Sequence, residues 1–228
     1  METDRPAGGR WIDVAPERLT GWVGAFAERH GGVEVSPQPD GVIFRAADGA
    51  VAECQVPFPP LMASVTAGTG QRLAVQAAGQ IAGHALADRT VAVLLVRLGG
   101  YAAGVFAGPE PQLVASKVGA RLVHGRSAAG GTSQHRFARR REKQAAEALG
   151  AAADTAARVF SPYAGRIDAV VLGGDRRAMA GLRPDPRLAP YFALAVERFL
   201  TVPDPRLAVL RTAPRLYRAA RIHLSGPA

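Results

Sequence analysis

The stretch RLVHGRSAAGGTSQHRFARRREK, residues 121–143, divides the chain and decides how the rest is read. It has three physical parts. Gly125 to Ser133 is a run of small residues, a loop whose backbone can approach a ligand closely. Gln134 and His135 stand where that loop meets a helix, and a helix N-terminus offers free N–H groups and partial positive charge to a phosphate. The helix then opens with Arg136, Arg139, Arg140, Arg141 and Lys143, with Glu142 the only acid among them. Arg136, Arg139, Arg140 and Lys143 share one side at i, i+3, i+4, i+7 spacing. That side cannot be core, and it suits a phosphate backbone. A solvated basic surface helix behind a Gly-rich loop is the plainer alternative.

Working outward, the residues before this stretch read as a meander. Val91 to Arg97 is a strand, Gly99-Gly100 a turn, Tyr101 to Ala107 a strand and Gln112 to Lys117 another, with Arg121 to His124 extending it or adding one more. After it, Ser133 to Phe160 is one long helix with an apolar stripe of Ala145, Ala148, Leu149, Ala152, Ala156, Val159 and Phe160. Asp168 to Leu172 is a buried strand, Gly173-Gly174 a turn and Asp175 to Gly181 a short helix. Leu188 to Ala195 is helical, Glu197 to Val202 a strand, Pro205 to Arg211 a helix and Leu216 to Leu224 a last basic segment. The expected fold class is α+β, a mixed sheet with flanking helices. Upstream, residues 1–10 read as a loose tail and Pro16 to Arg29 as an amphipathic helix. Val33 to Ser36, Val42 to Arg45 and Val51 to Val56 read as strands with turns at Asp40-Gly41 and Asp48-Gly49. The expected domains are a helix-and-hairpin module at 1–60, a connecting segment at 61–89 containing a helix over Gln71 to Ala87, and a second domain at 90–228.

Charge is unevenly placed. Residues 1–60 hold nine acids and five bases, a net −4, and residues 61–228 hold ten acids and 23 bases, a net +13. A basic body points to a polyanionic partner, nucleic acid first and an anionic membrane surface second. Arg greatly outnumbers Lys, as in GC-rich genomes, and this weakens the weight of any single Arg. The one cysteine, Cys54, permits no internal disulfide and reads as a buried structural thiol. The first ten residues have no apolar signal core, and the longest apolar run, Val91 to Val96, is too short to span a bilayer. A cytoplasmic protein without a membrane partner is expected.

Gly130-Gly131-Thr132-Ser133-Gln134, leading into a basic helix within a strand–loop–long-helix pattern, resembles the catalytic domain of eukaryotic and archaeal class I peptide-chain release factors. More closely, the stretch resembles the actinobacterial branch of the Vms-like release-factor family, over roughly residues 90–228. The Ala-Val-Val-Leu-Gly-Gly-Asp segment at 169–175 matches the strand and turn that follow the long helix there. Thr132 and Ser133 stand between the glycines and Gln134, a change the Vms-like proteins tolerate. The resemblance implies a ribonuclease-H-like sheet and a peptidyl-tRNA hydrolase, a monomer acting on the large ribosomal subunit without cofactor. It further implies that Gln134 orients water against the ester of peptidyl-tRNA. Gln cannot be a general base, since its amide does not titrate near neutral pH. Gly130 and Gly131 permit the loop's shape. Arg126, Thr132, Ser133, His135, Arg136, Arg139, Arg140, Arg141 and Lys143 contact the RNA.

Other chemistries are weaker. Ribonuclease-H-like nucleases hold metals on carboxylates of central strands, and Val91 to Val96, Tyr101 to Ala107 and Gln112 to Lys117 contain none. The histidines at 30, 84, 124, 135 and 223 show no ligand spacing. Gly68-Thr69-Gly70 lacks the Lys of a phosphate loop. Gly173-Gly174-Asp175 is a strand-to-helix turn before it is a phosphate site, and Arg215, Arg218 and Arg221 are either a second RNA contact or a solvated edge. Two functional alternatives stay open, an endonuclease cutting the tRNA near its 3′ end and a non-catalytic RNA-binding rescue adaptor.

Overall fold

The computed structural model describes residues 9–97, 99–120 and 133–226, and for residues 133–142 the helical backbone alone. In chain order the strands and helices are β1 (Arg10–Val14), α1 (Pro16–His30), β2 (Val33–Gln38), β3 (Gly41–Ala46), β4 (Val51–Gln55), β5 (Gly68–Thr69) and α2 (Gln71–Leu86). They continue with β6 (Val91–Arg97), β7 (Gly100–Ala107), β8 (Gln112–Ala120), α3 (Ser133–Phe160), β9 (Ala169–Gly174) and α4 (Arg176–Leu182). The last are α5 (Ala189–Ala193), β10 (Ala195–Leu200), α6 (Leu207–Tyr217) and β11 (Ala220–Ser225). A 3-10 turn, Ser161–Arg166, follows α3.

The chain forms two compact units, Met1–Ala87 with Arg215–Ala228, and Asp88–Pro214. The first is an antiparallel sheet in the order β1-β11-β4-β3-β2-β5, with helices on one face. Inward residues alternate with outward ones: Val33 and Val35 on β2, Val42 and Phe44 on β3, Ala52 and Cys54 on β4, and Ile222 on β11 enter one core. Leu19, Val23 and Phe26 of α1 and Ala74, Ala77, Ala78 and Ile81 of α2 complete it. The small residues of α2 let the helices approach closely, and a Cβ added at Gly24 would already touch Val75 at 3.6 Å. Cys54 points into this core, and burial alone pushes its thiol up to about 12, so it stays a neutral packing group.

The observed boundaries differ from the expected ones at two places. Helix α2 packs on α1 and the sheet rather than bridging domains, so the first unit runs to Ala87 instead of residue 60. The expected basic segment at 216–224 is the end of α6 followed by a strand. β11 lies between β1 and β4, with Ala220 and Ile222 inward and Arg221 outward. It therefore belongs to the first unit.

The second unit is the expected mixed sheet, in the order β10-β9-β6-β7-β8. β6, β7 and β8 form an antiparallel meander, while β9 runs parallel to β6 and β10 parallel to β9. Val91 to Val96 are all buried, since β6 is covered on both faces. Ala92, Leu94 and Val96 meet Ala152, Ala153, Ala156, Val159 and Phe160 of α3 together with Met179 and Leu182 of α4. On the opposite face Leu210 of α6 sits so close to Gly104 that an added Cβ would lie 2.9 Å from it.

Gly173 and Gly174, expected as a turn, are the last residues of β9, paired with Leu95 and Val96. Gly174 has φ +102°, and the Val96 carbonyl occupies the place a Cβ would take. Gly174→Ala is thus expected to destabilise the second unit by more than about 1 kcal/mol. Gly150, on an exposed turn of α3 with nothing within 4 Å of an added Cβ, gives the opposite sign, and Gly150→Ala is expected to gain about 0.5–1 kcal/mol. Urea unfolding midpoints of the two variants check both signs.

Candidate nucleic-acid interface

Helix α3 has 28 residues, about 42 Å at 1.5 Å per residue. The part bearing the apolar stripe, Ala145 to Phe160, is about 24 Å long and matches β6, whose seven residues span about 23 Å. Residues 133–144 are therefore about 18 Å of helix beyond what covering the sheet requires. The solvent side of α3 is set by its described residues. Lys143, Ala146, Glu147, Gly150, Asp154 and Arg158 are exposed, one or two per turn. Counting back from Lys143 by whole turns, positions 140, 139 and 136 lie on the same side of the helix axis.

The sequence-expected site residues divide as follows. Arg126, Gly130, Gly131 and Thr132 lie outside the described residues. Ser133, Gln134, His135, Arg136, Arg139, Arg140 and Arg141 fall in the first three turns of α3, which fixes their order along the axis. Lys143 is exposed at the end of this run. The helix starts at Ser133, as its spacing suggests, which puts Gln134 in its first turn.

The two units differ sharply in charge. The first contains nine acids and nine bases, net zero, and the second ten acids and 19 bases, net +9. Residues 121–143 alone carry seven bases and one acid. Elsewhere in the second unit several guanidiniums are committed locally. Arg187 is held by Asp154 at 2.7 Å and Asp185 at 2.6 Å, and this pairing depresses the Asp185 carboxyl. Arg166, Arg176 and Arg183 lie over Tyr163, Phe199 and Phe192 at 4.9, 4.5 and 5.3 Å. Arg218, one of the three C-terminal arginines, is structural. Its guanidinium donates to the Ala85 and Leu86 carbonyls at 3.1 and 3.0 Å and closes the end of α2. Arg221 lies 4.3 Å over the Trp11 ring.

The histidines of the first unit are structural too. His30 pairs with Asp48 at 2.8 Å, and His84 donates from Nε2 to the Pro57 and Phe58 carbonyls while its Nδ1 accepts from the Met62 N–H at 3.4 Å. His223 is buried beside Trp11, ring centres 4.8 Å apart. Among the described residues no three His, Cys, Asp or Glu side chains group closely enough to hold a metal, and no helix is long and apolar enough to cross a membrane.

Residues 89–223, more than half the chain and nearly all of the second unit, match the family model described as Actinobacteria/chloroflexi VLRF1 release factor. The chain belongs to that family. No curated protein matches it. Among solved structures, this VLRF1-family chain is similar to an archaeal translation termination factor, aRF1, at 14% identity and a TM-score of 0.40, covering 75% of this chain and 47% of that one. A structure described as the Vms1 mitochondrial localization core shares 12% identity at a TM-score of 0.35, covering 83% of this chain and 77% of that one. Pelota from Archaeoglobus fulgidus shares 12% at 0.32, with 94% and 64% covered. The chain spans about half the length of the archaeal termination factor.

The charge segregation makes a quantitative expectation for this VLRF1-family member. Replacing Arg139 and Arg140 by Glu should weaken binding to labelled tRNA at low salt. It should also flatten the plot of log affinity against log salt by about 0.9 for each phosphate no longer neutralised. Fluorescence anisotropy across a salt series measures both. An unchanged affinity and slope would remove α3 from the interface.

Proposed function

We propose that this chain is a peptidyl-tRNA hydrolase that frees nascent peptides from tRNA on the large ribosomal subunit, in ribosome rescue or quality control. The observation that carries this is a coincidence inside the family-matched region. The Gly130-Gly131…Gln134 sequence runs directly into the first turn of a helix that carries the densest basic run of the chain.

The roles follow from the chemistry. Gly130 and Gly131 allow the loop to pass close to the tRNA 3′ end, and Arg126, Thr132, Ser133 and His135 contact RNA beside it. Arg136, Arg139, Arg140, Arg141 and Lys143 hold acceptor-stem phosphates. The Gln134 amide orients a water by hydrogen bonding, and the water oxygen attacks the ester carbonyl carbon. A C–O bond forms to water and the bond to the ribose oxygen breaks. The proton lost by water ends on that ribose oxygen, giving a peptide acid and an intact tRNA hydroxyl. None of these steps draws on a metal or cofactor, and the protein acts in the cytoplasm as a monomer.

Release from peptidyl-tRNA on isolated large subunits tests the proposal, with peptide and tRNA resolved on one gel. Wild type should give free peptide and full-length tRNA, and Gln134→Ala should slow release by about 100-fold, the cost of a misplaced reactant. A shortened tRNA would indicate an endonuclease. Equal release by both proteins, or none by either, would indicate an adaptor.

A further inference from the structure

The second unit has a recess that the release reaction does not use. Its volume is about 270 Å³, and three separate segments contribute to its wall: the end of β6 with the start of β7, the Ala145, Ala148 and Leu149 side of α3, and Asp175, Arg177 and Ala178 at the start of α4. It lies beyond the C-terminal ends of the parallel strands β6 and β9. There the chain, having left β6 for β7 and β8 on one side, returns by α3 to β9 on the other. Open sheets bind ligands at such reversals, because the strand ends diverge and leave a crevice.

The walls are thin and apolar. Ala145 and Ala148 bring little side chain, Gly99 and Gly100 bring none, and Leu149 and Val96 add apolar lining. Tyr101 supplies an aromatic ring, held over Gly119 of β8 so closely that any Cβ there would strike it. The polar groups are few and fixed. Asp175 is locked at both ends: its backbone N–H donates to the Val96 carbonyl at 2.7 Å, and its Oδ1 accepts from the Ala178 N–H at 2.9 Å. Its Oδ2 has no protein partner among the described residues. Arg177 lines the mouth, and Arg97 stands beside it, its Nη1 donating to the Val202 carbonyl at 2.8 Å.

We propose that this recess takes one unpaired nucleobase of a bound RNA strand. An apolar recess with an aromatic ring in its lining favours a planar ring. The second carboxylate oxygen of Asp175 is an acceptor that an exocyclic amine can satisfy. The Arg177 guanidinium suits the attached phosphate, the site being part of a unit whose net charge is +9, whereas Arg97 is held by the Val202 carbonyl and by Asp204 at 3.8 Å. Base capture goes beyond ester hydrolysis and rests on that proposal only for the identity of the strand. Ala145, Ala148 and Leu149 lie about 140–240° around α3 from Lys143, so the recess is on the other side of the helix from that residue.

Calorimetric titration of the full chain with AMP, inorganic phosphate and single-stranded hexa-adenylate tests this without ribosomes. AMP should bind saturably and hexa-adenylate more tightly, and inorganic phosphate should fail to displace AMP. Asp175→Asn keeps an oxygen for the Ala178 N–H, so the helix start is preserved, yet it should weaken AMP about tenfold or more. Ala148→Phe, or Ala145→Leu if the first variant does not fold, should fill the slot and abolish AMP binding. Absence of AMP binding, displacement by phosphate, or insensitivity to both variants would overturn the proposal. A hexanucleotide no tighter than AMP would also overturn it and assign the recess to free nucleotides. Gln134→Ala should leave AMP binding unchanged, so failure of base capture and failure of peptide release are read separately.

Discussion

Burial of β6 on both faces is the constraint from which the second unit follows. Six consecutive apolar residues, Val91 to Val96, present side chains alternately to opposite sides, and neither side tolerates water. The chain must supply helices to both. α3, α4 and α5 cover one face and α6 the other. The parallel partner β9 can reach β6 only after a crossover, and α3 is that crossover. Its length past the sheet is then free for another use, and that excess is where the arginines are concentrated. A single packing requirement thus places the start of α3, where the sequence is most basic.

The formal charge is divided unequally between the units. The acidic front of the sequence suggests a negatively charged first domain. Once α2 and β11 join that domain, with Arg72, Arg215, Arg218 and Arg221, its formal charge is zero. All of the net positive charge resides in the unit that matches the release-factor family. An evenly charged protein of the same composition would attract polyanions without preference of surface. Here long-range attraction acts on one unit, and the local commitments of Arg166, Arg176, Arg183 and Arg187 leave α3 as its strongest concentration.

Local patterns make much of this legible. The meander, the long helix and its apolar stripe can be read from periodicity because each signal lies within a few residues. What escapes such reading depends on distant partners. β1, with the sequence RWIDV, looks polar and is a strand because it pairs with β11, more than 200 residues away. α6 continues past Arg211 and through Pro214 because Leu210, Ala213 and Tyr217 form a buried stripe that outweighs the missing hydrogen bond. Asp175 reads as a turn residue, since nothing near it in sequence reveals Tyr101 or Ala148. The Gly-Gly…Gln signal is legible as a motif from its own letters, and the structure adds to it the position of Gln134 in the first turn of α3.

The position of β11 bears on how the protein is made. This strand fills the gap between β1 and β4, yet in sequence it follows the whole second unit. Ribosomal synthesis therefore delivers β1 long before its neighbour, with the second unit emerging between them. The second unit has all its strands and can fold as soon as it emerges. The first must wait, with β1 unpaired and the β4 edge open, until β11 leaves the tunnel. A protein proposed to resolve incomplete translation thus has a sheet that no copy of itself halted before Ala220 could complete.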